Sequence, residues 1–234
     1  MTEDPRQDIV ENFNKYKIGL DEVFTFKCRG CGKCCKNRED ILLNSRDVYN
    51  IATALNLTHK QVTEQYCETY IGKDSRMPIV RLKPKGVNLV CPLLKGGRCS
   101  IHSLKPTVCA LFPLGRVMAF EDKGPGKPFE IQYILTSADC GSAKKKQTVR
   151  AWLEAFDIPV EDHFFTEWNK ALFSLISTVK KLSEKLSSQS KVYEMIWVGI
   201  YMALYVDYDT QKEFDSQFKN NVNKILDTFS KFEN

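Results

Sequence analysis

Four thiols fall within eight residues at Cys28-x2-Cys31-x2-Cys34-Cys35. A two-residue spacer lets one tight turn present two sulfurs to a single metal ion. The spacers here are Arg29, Gly30, Gly32 and Lys33, and glycine permits the positive φ that such a turn needs. Core residues at this density would keep neither a helical nor a strand period, so inert packing explains the cluster poorly. Cys91-x7-Cys99-x9-Cys109 follows, and then Cys140 immediately before Gly141. The candidate ligands are therefore Cys28, Cys31, Cys34, Cys35, Cys91, Cys99, Cys109 and Cys140. Cys67 stands alone in a stretch that reads as helix, and is expected to be a small buried hydrophobe.

Nine cysteines cannot all pair, and a disulfide framework suits an oxidising compartment. The first residues are polar and acidic, with no apolar core of a signal peptide. The longest apolar run, residues 195–206, is shorter than the roughly 20 residues a membrane span needs. A cytoplasmic location without membrane insertion is expected, where thiols stay reduced and available to metal.

Charge patterning points the same way. Net charge is +5, but residues 150–234 carry −3 and residues 1–149 carry +8. Residues 27–38 hold Lys27, Arg29, Lys33, Lys36 and Arg38 with no acid. Residues 81–116 hold Arg81, Lys83, Lys85, Lys95, Arg98, Lys105 and Arg116, again with no acid. Thiolate is the metal ligand, and four thiolates on one zinc or one [4Fe–4S] cluster leave a net charge of about −2. Nearby cations offset that charge. Nucleic acid is the weaker explanation, because no aromatic and basic residues interleave as a stacking surface would require.

The elements that must position these residues read as α+β. Residues 9–16 look helical and residues 23–27 β-prone, leading straight into the first cysteines. Helical spacing of Val48, Ile51, Ala52 and Leu55 predicts a helix over 45–57. Thr58 and Gln61 have the form of a capping box opening a second helix to about residue 70. Residues 79–83 and 87–90 read as a strand pair around Pro84-Lys85-Gly86, and 117–121 with 129–135 as a hairpin around Gly124-Pro125-Gly126. Between them, residues 91–115 are mostly irregular. Helices are expected over 144–156, 162–186, 189–206 and 210–232, broken at 157–159 and 187–190. Their apolar faces carry Trp152, Phe164, Trp168 and Leu175, and residues 195–204 suggest a helix buried nearly all round. The domain reading is a cysteine module over 23–141 with a helical region, 142–234, packed on it.

Four pieces carry a resemblance: Cys28-Arg-Gly-Cys31-Gly-Lys-Cys34-Cys35, Cys91-Pro-Leu-Leu94, Gly97-Arg-Cys99-Ser-Ile101, and Pro106-Thr-Val-Cys109-Ala-Leu-Phe112-Pro113. Together they resemble the YkgJ-like cysteine-cluster family of zinc- or iron-chelating domains, which includes a region of flagellin lysine N-methylases. The likeness spans about residues 26–141. It implies metal chelation and leaves any reaction undefined. His102, Lys105 and Ala110 stand where the family often has Tyr, Arg and Arg, so if those arginines touch the cluster or a substrate in relatives, that role is altered here.

Structural zinc usually shows two Cys-x2-Cys knuckles, and only the first half of this chain has that spacing. Iron–sulfur clusters accept ligands from irregular loops, so [4Fe–4S] is preferred and zinc is the alternative. Successive side chains diverge, so Cys34 and Cys35 are expected to serve two centres, or one of them to stand behind a ligand. The thiol count suffices without His102, and His59 and His163 at helix starts look structural. Asp139 beside Cys140 is a candidate supporting group. Three functions fit: metal binding that organises a surface for another protein, a protein-lysine N-methyltransferase-like enzyme, and electron transfer or metal delivery. No Gly-rich loop after a strand suggests a nucleotide or S-adenosylmethionine cradle.

Overall fold

The computed structural model describes residues 12–119, 130–138, 140–185 and 191–233. The architecture is α+β: short antiparallel strands in small sheets, followed by a helical C-terminal part. A single helical turn, α1 (Phe13–Tyr16), leads to β1 (Lys17–Ile18) and β2 (Val23–Lys27). Alternation along β2 buries Phe24 and Phe26 and exposes its other three residues.

After the first cysteines come β3 (Leu42–Leu43), α2 (Ser45–Leu55), α3 (His59–Tyr66), β4 (Cys67–Ile71) and β5 (Pro78–Leu82). Both helices open with a capping box, Asn44 with Asp47 and Thr58 with Gln61. The second helix stops short of residue 70, because residues 67–71 pair with β5 along their whole length, from Cys67 opposite Leu82 to Ile71 opposite Pro78. Cys67 therefore lies at a strand start, not inside a helix, and is buried. The strand expected at 87–90 is also absent. With β3 on one side and β4 on the other, β5 has no free edge, and only Lys85 and Val90 bridge across the turn.

Residues 91–115 hold a tight hairpin, β6 (Leu94–Lys95) and β7 (Arg98–Cys99), and a short helix, α4 (Thr107–Leu111). The expected hairpin forms from β8 (Leu114–Ala119) and β9 (Glu130–Leu135), with β1 on the far edge of β9. Its turn at 124–126, the break at 187–190 and Asp139 lie outside the described residues. The helix expected over 144–156 begins late. β10 (Ser142–Thr148) pairs with β2, Thr148 opposite Val23, and Thr148 then caps α5 (Val149–Glu154) by accepting a hydrogen bond from the Ala151 amide.

The C-terminal part is α6 (His163–Lys185), α7 (Lys191–Tyr201) and α8 (Phe214–Glu233). Along α6, Phe164, Trp168, Ala171, Leu175, Val179 and Leu182 recur at three- and four-residue steps and are all buried. The segment expected to be buried all round is not: Met195 and Val198 are 71% and 59% exposed, because α7 packs by one face only. No helix among the described residues is long and apolar enough to cross a membrane.

Apolar burial gathers into two clusters. The larger joins α2, α3 and β5 to the three C-terminal helices. The smaller surrounds Phe24, Phe26, Leu114, Tyr133 and Trp152. Arg116 on β8 ties the sheet to α6 through an almost fully buried ion pair with Asp162 at 2.7 Å, while Asp162 also accepts the Phe165 amide at the start of α6.

α7 continues as a π-helical segment, Met202–Val206, whose altered pairing frees backbone carbonyls. Ser45 donates to Leu204, Tyr208 to Ala203, and His59 Nδ1–H to Tyr205 at 3.2 Å. A carbonyl can only accept, so Nδ1 carries the proton. Nε2 is buried without a partner, and burial holds the His59 pKa below its ordinary value. The unfolded chain therefore binds the extra proton first, and stability must fall as pH drops below about 6.5. His59→Gln should flatten the difference in urea midpoint between pH 7 and pH 5. An unchanged pH slope in this variant would remove His59 as its source.

Candidate metal centre

A cavity of about 450 Å³ opens between the two apolar clusters. Cys28, Cys31, Cys34, Cys35, Cys91, Cys99, Cys109 and Cys140 all line it, and Cys67 does not. Cys91, Cys99 and Cys109 pack against the larger cluster and Cys140 against the smaller. His102 also reaches the wall, exposed, with its ring tilted against Phe156.

Local backbone geometry explains how each sulfur arrives. The first turn curls through positive φ at Gly30 and Gly32. Its N–H groups face sulfur: Gly30 donates to Cys28 Sγ at 3.4 Å, and Lys33 to Cys31. Gly32 seats this turn on the β6–β7 hairpin, where a Cβ would stand 2.9 Å from the Gly97 carbonyl. The Cys91 amide donates to the Cys35 carbonyl at 2.8 Å and joins the first turn to the second cysteine group. Cys109 rides on α4, which is gripped at both ends. The Asp47 carboxylate accepts the Thr107 amide and hydroxyl, each at 2.8 Å, and Trp152 Nε1 donates to the carbonyls of Ala110 and Leu111. Cys140 arrives through the pairing of β10 with β2, which sets Ser142 opposite Lys27.

The thiols are electrostatically unequal. Cys35 keeps its proton and donates it to Cys34, whose pKa is lowered to about 6 by that bond and by the charges of Lys105 and Arg38, against the opposing effect of burial. Cys140 is raised to about 11, chiefly by burial and then by the thiolates around it, and donates to Cys31. Hydrogen bonds from Lys33 and Gly141 amides lower Cys31. Burial pushes Cys91 and Cys109 up. Not every cation of the acid-free windows serves the sulfurs. Arg81 pairs with Glu68 and Arg116 with Asp162, whereas Arg29, Lys105 and Arg38, the last also paired with Asp40, line the cavity.

A family model described as "Putative zinc- or iron-chelating domain", CxxCxxCC, matches residues 27–141. Residues 27–141 are a CxxCxxCC domain. No curated protein and no solved structure matches the chain. The matched residues carry all eight thiols of the cavity.

The donor set of the CxxCxxCC domain fits a thiophilic metal. The sulfurs already share protons in pairs, and a cation competes for the same positions. Spacing sets a further condition. As the side chains stand, no three His, Cys, Asp or Glu groups among the described residues converge closely enough to hold one ion. Tetrahedral zinc, with bonds of about 2.3 Å, draws its sulfurs to about 3.8 Å from one another. An iron–sulfur cluster binds each thiolate through a different iron and so spans a wider ring.

Three groups that shape the site carried no cysteine-like signal. Asp47 was legible only as the fourth residue of an Asn-x-x-Asp capping box. Trp152 reads as an ordinary core aromatic. Gly141 is the amide donor to Cys31 and sits at φ +78°, where a Cβ would lie 2.5 Å from the Phe26 ring. Gly141→Ala should cost roughly 1–3 kcal/mol of stability, measured by urea denaturation. A midpoint equal to wild type would show that this close approach relaxes without strain.

Proposed function

We propose that the CxxCxxCC domain binds zinc or iron through the thiols of this cavity, and that an iron–sulfur cluster of the [4Fe–4S] type suits it better than a single zinc. One observation carries the reading. Eight of nine cysteines, drawn from three stretches of chain, line one cavity, and the ninth is buried elsewhere. The irregular loops that carry these cysteines support the iron–sulfur form, which accepts ligands from such loops.

The chain's own contribution is to present thiols, supply N–H donors to them, and place Arg38 and Lys105 beside Cys34. A bound centre would supply either a structural tie or, as iron–sulfur, one-electron chemistry. Cys28 and Cys31 are exposed, which favours exchange of electrons or metal with a partner protein over a purely structural role.

Protein purified anaerobically should contain zinc or iron by elemental analysis. Acid-labile sulfide and visible absorbance should accompany the iron. Metal-free protein with every thiol titratable would overturn the proposal.

Cys67→Ala should leave metal content unchanged, because its sulfur is buried in the larger cluster with its pKa raised to about 12 by burial alone. Cys109→Ala should lower metal content and thermal stability together, because site and fold form as one unit. Equal metal loss in both variants would contradict the assignment.

A further inference from the structure

The eight thiols are not one uniform ring. Cys28 and Cys31 are exposed, whereas Cys91, Cys99 and Cys109 are partly covered and pack on the larger apolar cluster. Cys140 belongs to the opposite side of the cavity, with the smaller cluster. Neighbour relations follow the same division. The sulfurs that neighbour Cys140 are Cys34, Cys31 and Cys28, because β10 pairs with β2 and sets Ser142 opposite Lys27. The sulfurs that neighbour Cys35 are Cys34, Cys91 and Cys109, and those that neighbour Cys91 are Cys99 and Cys34. Cys34 neighbours sulfurs on both sides, and Cys35 is tied to the inner one, its carbonyl accepting the Cys91 amide.

Backbone links repeat the pattern. The outer sulfurs take their N–H donors from the first turn and from Gly141. On the inner side the Cys91 amide bonds to the Cys35 carbonyl, Cys91 accepts from the amides of Leu93 and Leu94, and Leu94 pairs with Cys99 across β6–β7. The adjacent pair Cys34-Cys35, whose thiols share a hydrogen bond, joins the two sides.

Resting on the metal-binding reading above, we infer that the cavity holds two centres: a rim centre bound by Cys28, Cys31, Cys34 and Cys140, and a floor centre bound by Cys35, Cys91, Cys99 and Cys109. The two differ in what surrounds them. Solvent and any chelator reach the rim through exposed Cys28 and Cys31. Floor ligands are anchored in the larger apolar cluster, so losing that centre loosens the fold. The rim is thus the exchangeable site and the floor the structural one.

The test uses the full chain, purified anaerobically, with metal counted per chain. Cys140→Ser should retain about half the wild-type metal, with unchanged far-ultraviolet circular dichroism. Cys99→Ser should lose the other half and melt at a lower temperature. Wild-type protein treated with a chelator should release metal in two phases, the first without change in circular dichroism and absent from Cys140→Ser. Should Cys99→Ser fail to fold, the chelation phases and Cys140→Ser still decide. A folded Cys140→Ser that loses all metal, or single-phase release from wild type, would overturn the two-centre assignment while leaving metal binding intact. Wild-type protein without metal would sink both readings together.

Discussion

Eight thiols facing one half-buried cavity is an arrangement that electrostatics opposes. Each thiolate raises the cost of the next, and burial raises it further. The effect is visible in the sulfurs themselves: Cys35, Cys91, Cys109 and Cys140 are all driven toward the protonated form, while hydrogen bonds favour the charged form of Cys34 and Cys31. Thiols do not attract one another strongly enough to assemble this set. Everything that holds it must come from elsewhere in the chain.

Two kinds of support supply the force. Apolar clusters on either side act as fixed banks, and short backbone links carry the sulfurs across the gap between them. The α4 helix shows the principle most clearly. Asp47, from the larger cluster's α2, holds its start, and Trp152, from the smaller cluster's α5, holds its end. Burial pushes the Asp47 carboxyl above its usual range, while the Thr107 and Asn44 donors favour its charged form. Cys109 is thus placed by residues that contribute nothing to its chemistry.

Local signals in the chain foretold much of this. The Cys-x2-Cys spacing and its glycines forecast a left-handed curl, and Gly30 and Gly32 adopt it. Alternation gave away β2, periodicity gave away α6 and α8, and Thr58 with Gln61 marked the start of α3. Two of the failures are strands that resemble helix. Residues 67–71 and 142–148 look helical by continuation, yet each pairs as a strand, the first with β5 just after it and the second with β2 far back in the chain. A partner as distant as β2 leaves no local trace. Likewise the eight cysteines were recognisable one by one, whereas their gathering around a single space depends on where two apolar clusters meet. The exposed face of α7 was misjudged because hydrophobic residues run on both its sides, and only packing decides which side is covered.

The pairing of β10 with β2 has a consequence for inheritance. It fastens Cys140 to the strand that runs directly into Cys28, so the first and last thiols are neighbours although the rest of the set lies between them in sequence. The ligand set is therefore not a portable motif. A peptide spanning only residues 28–35 would carry the most recognisable signature and almost none of the scaffold. The smallest piece that could be transplanted between proteins must run from β2 through α5 and bring enough of the larger cluster to support α4. A signature of eight residues is in this way bound to a scaffold many times its size, and the two can only change together.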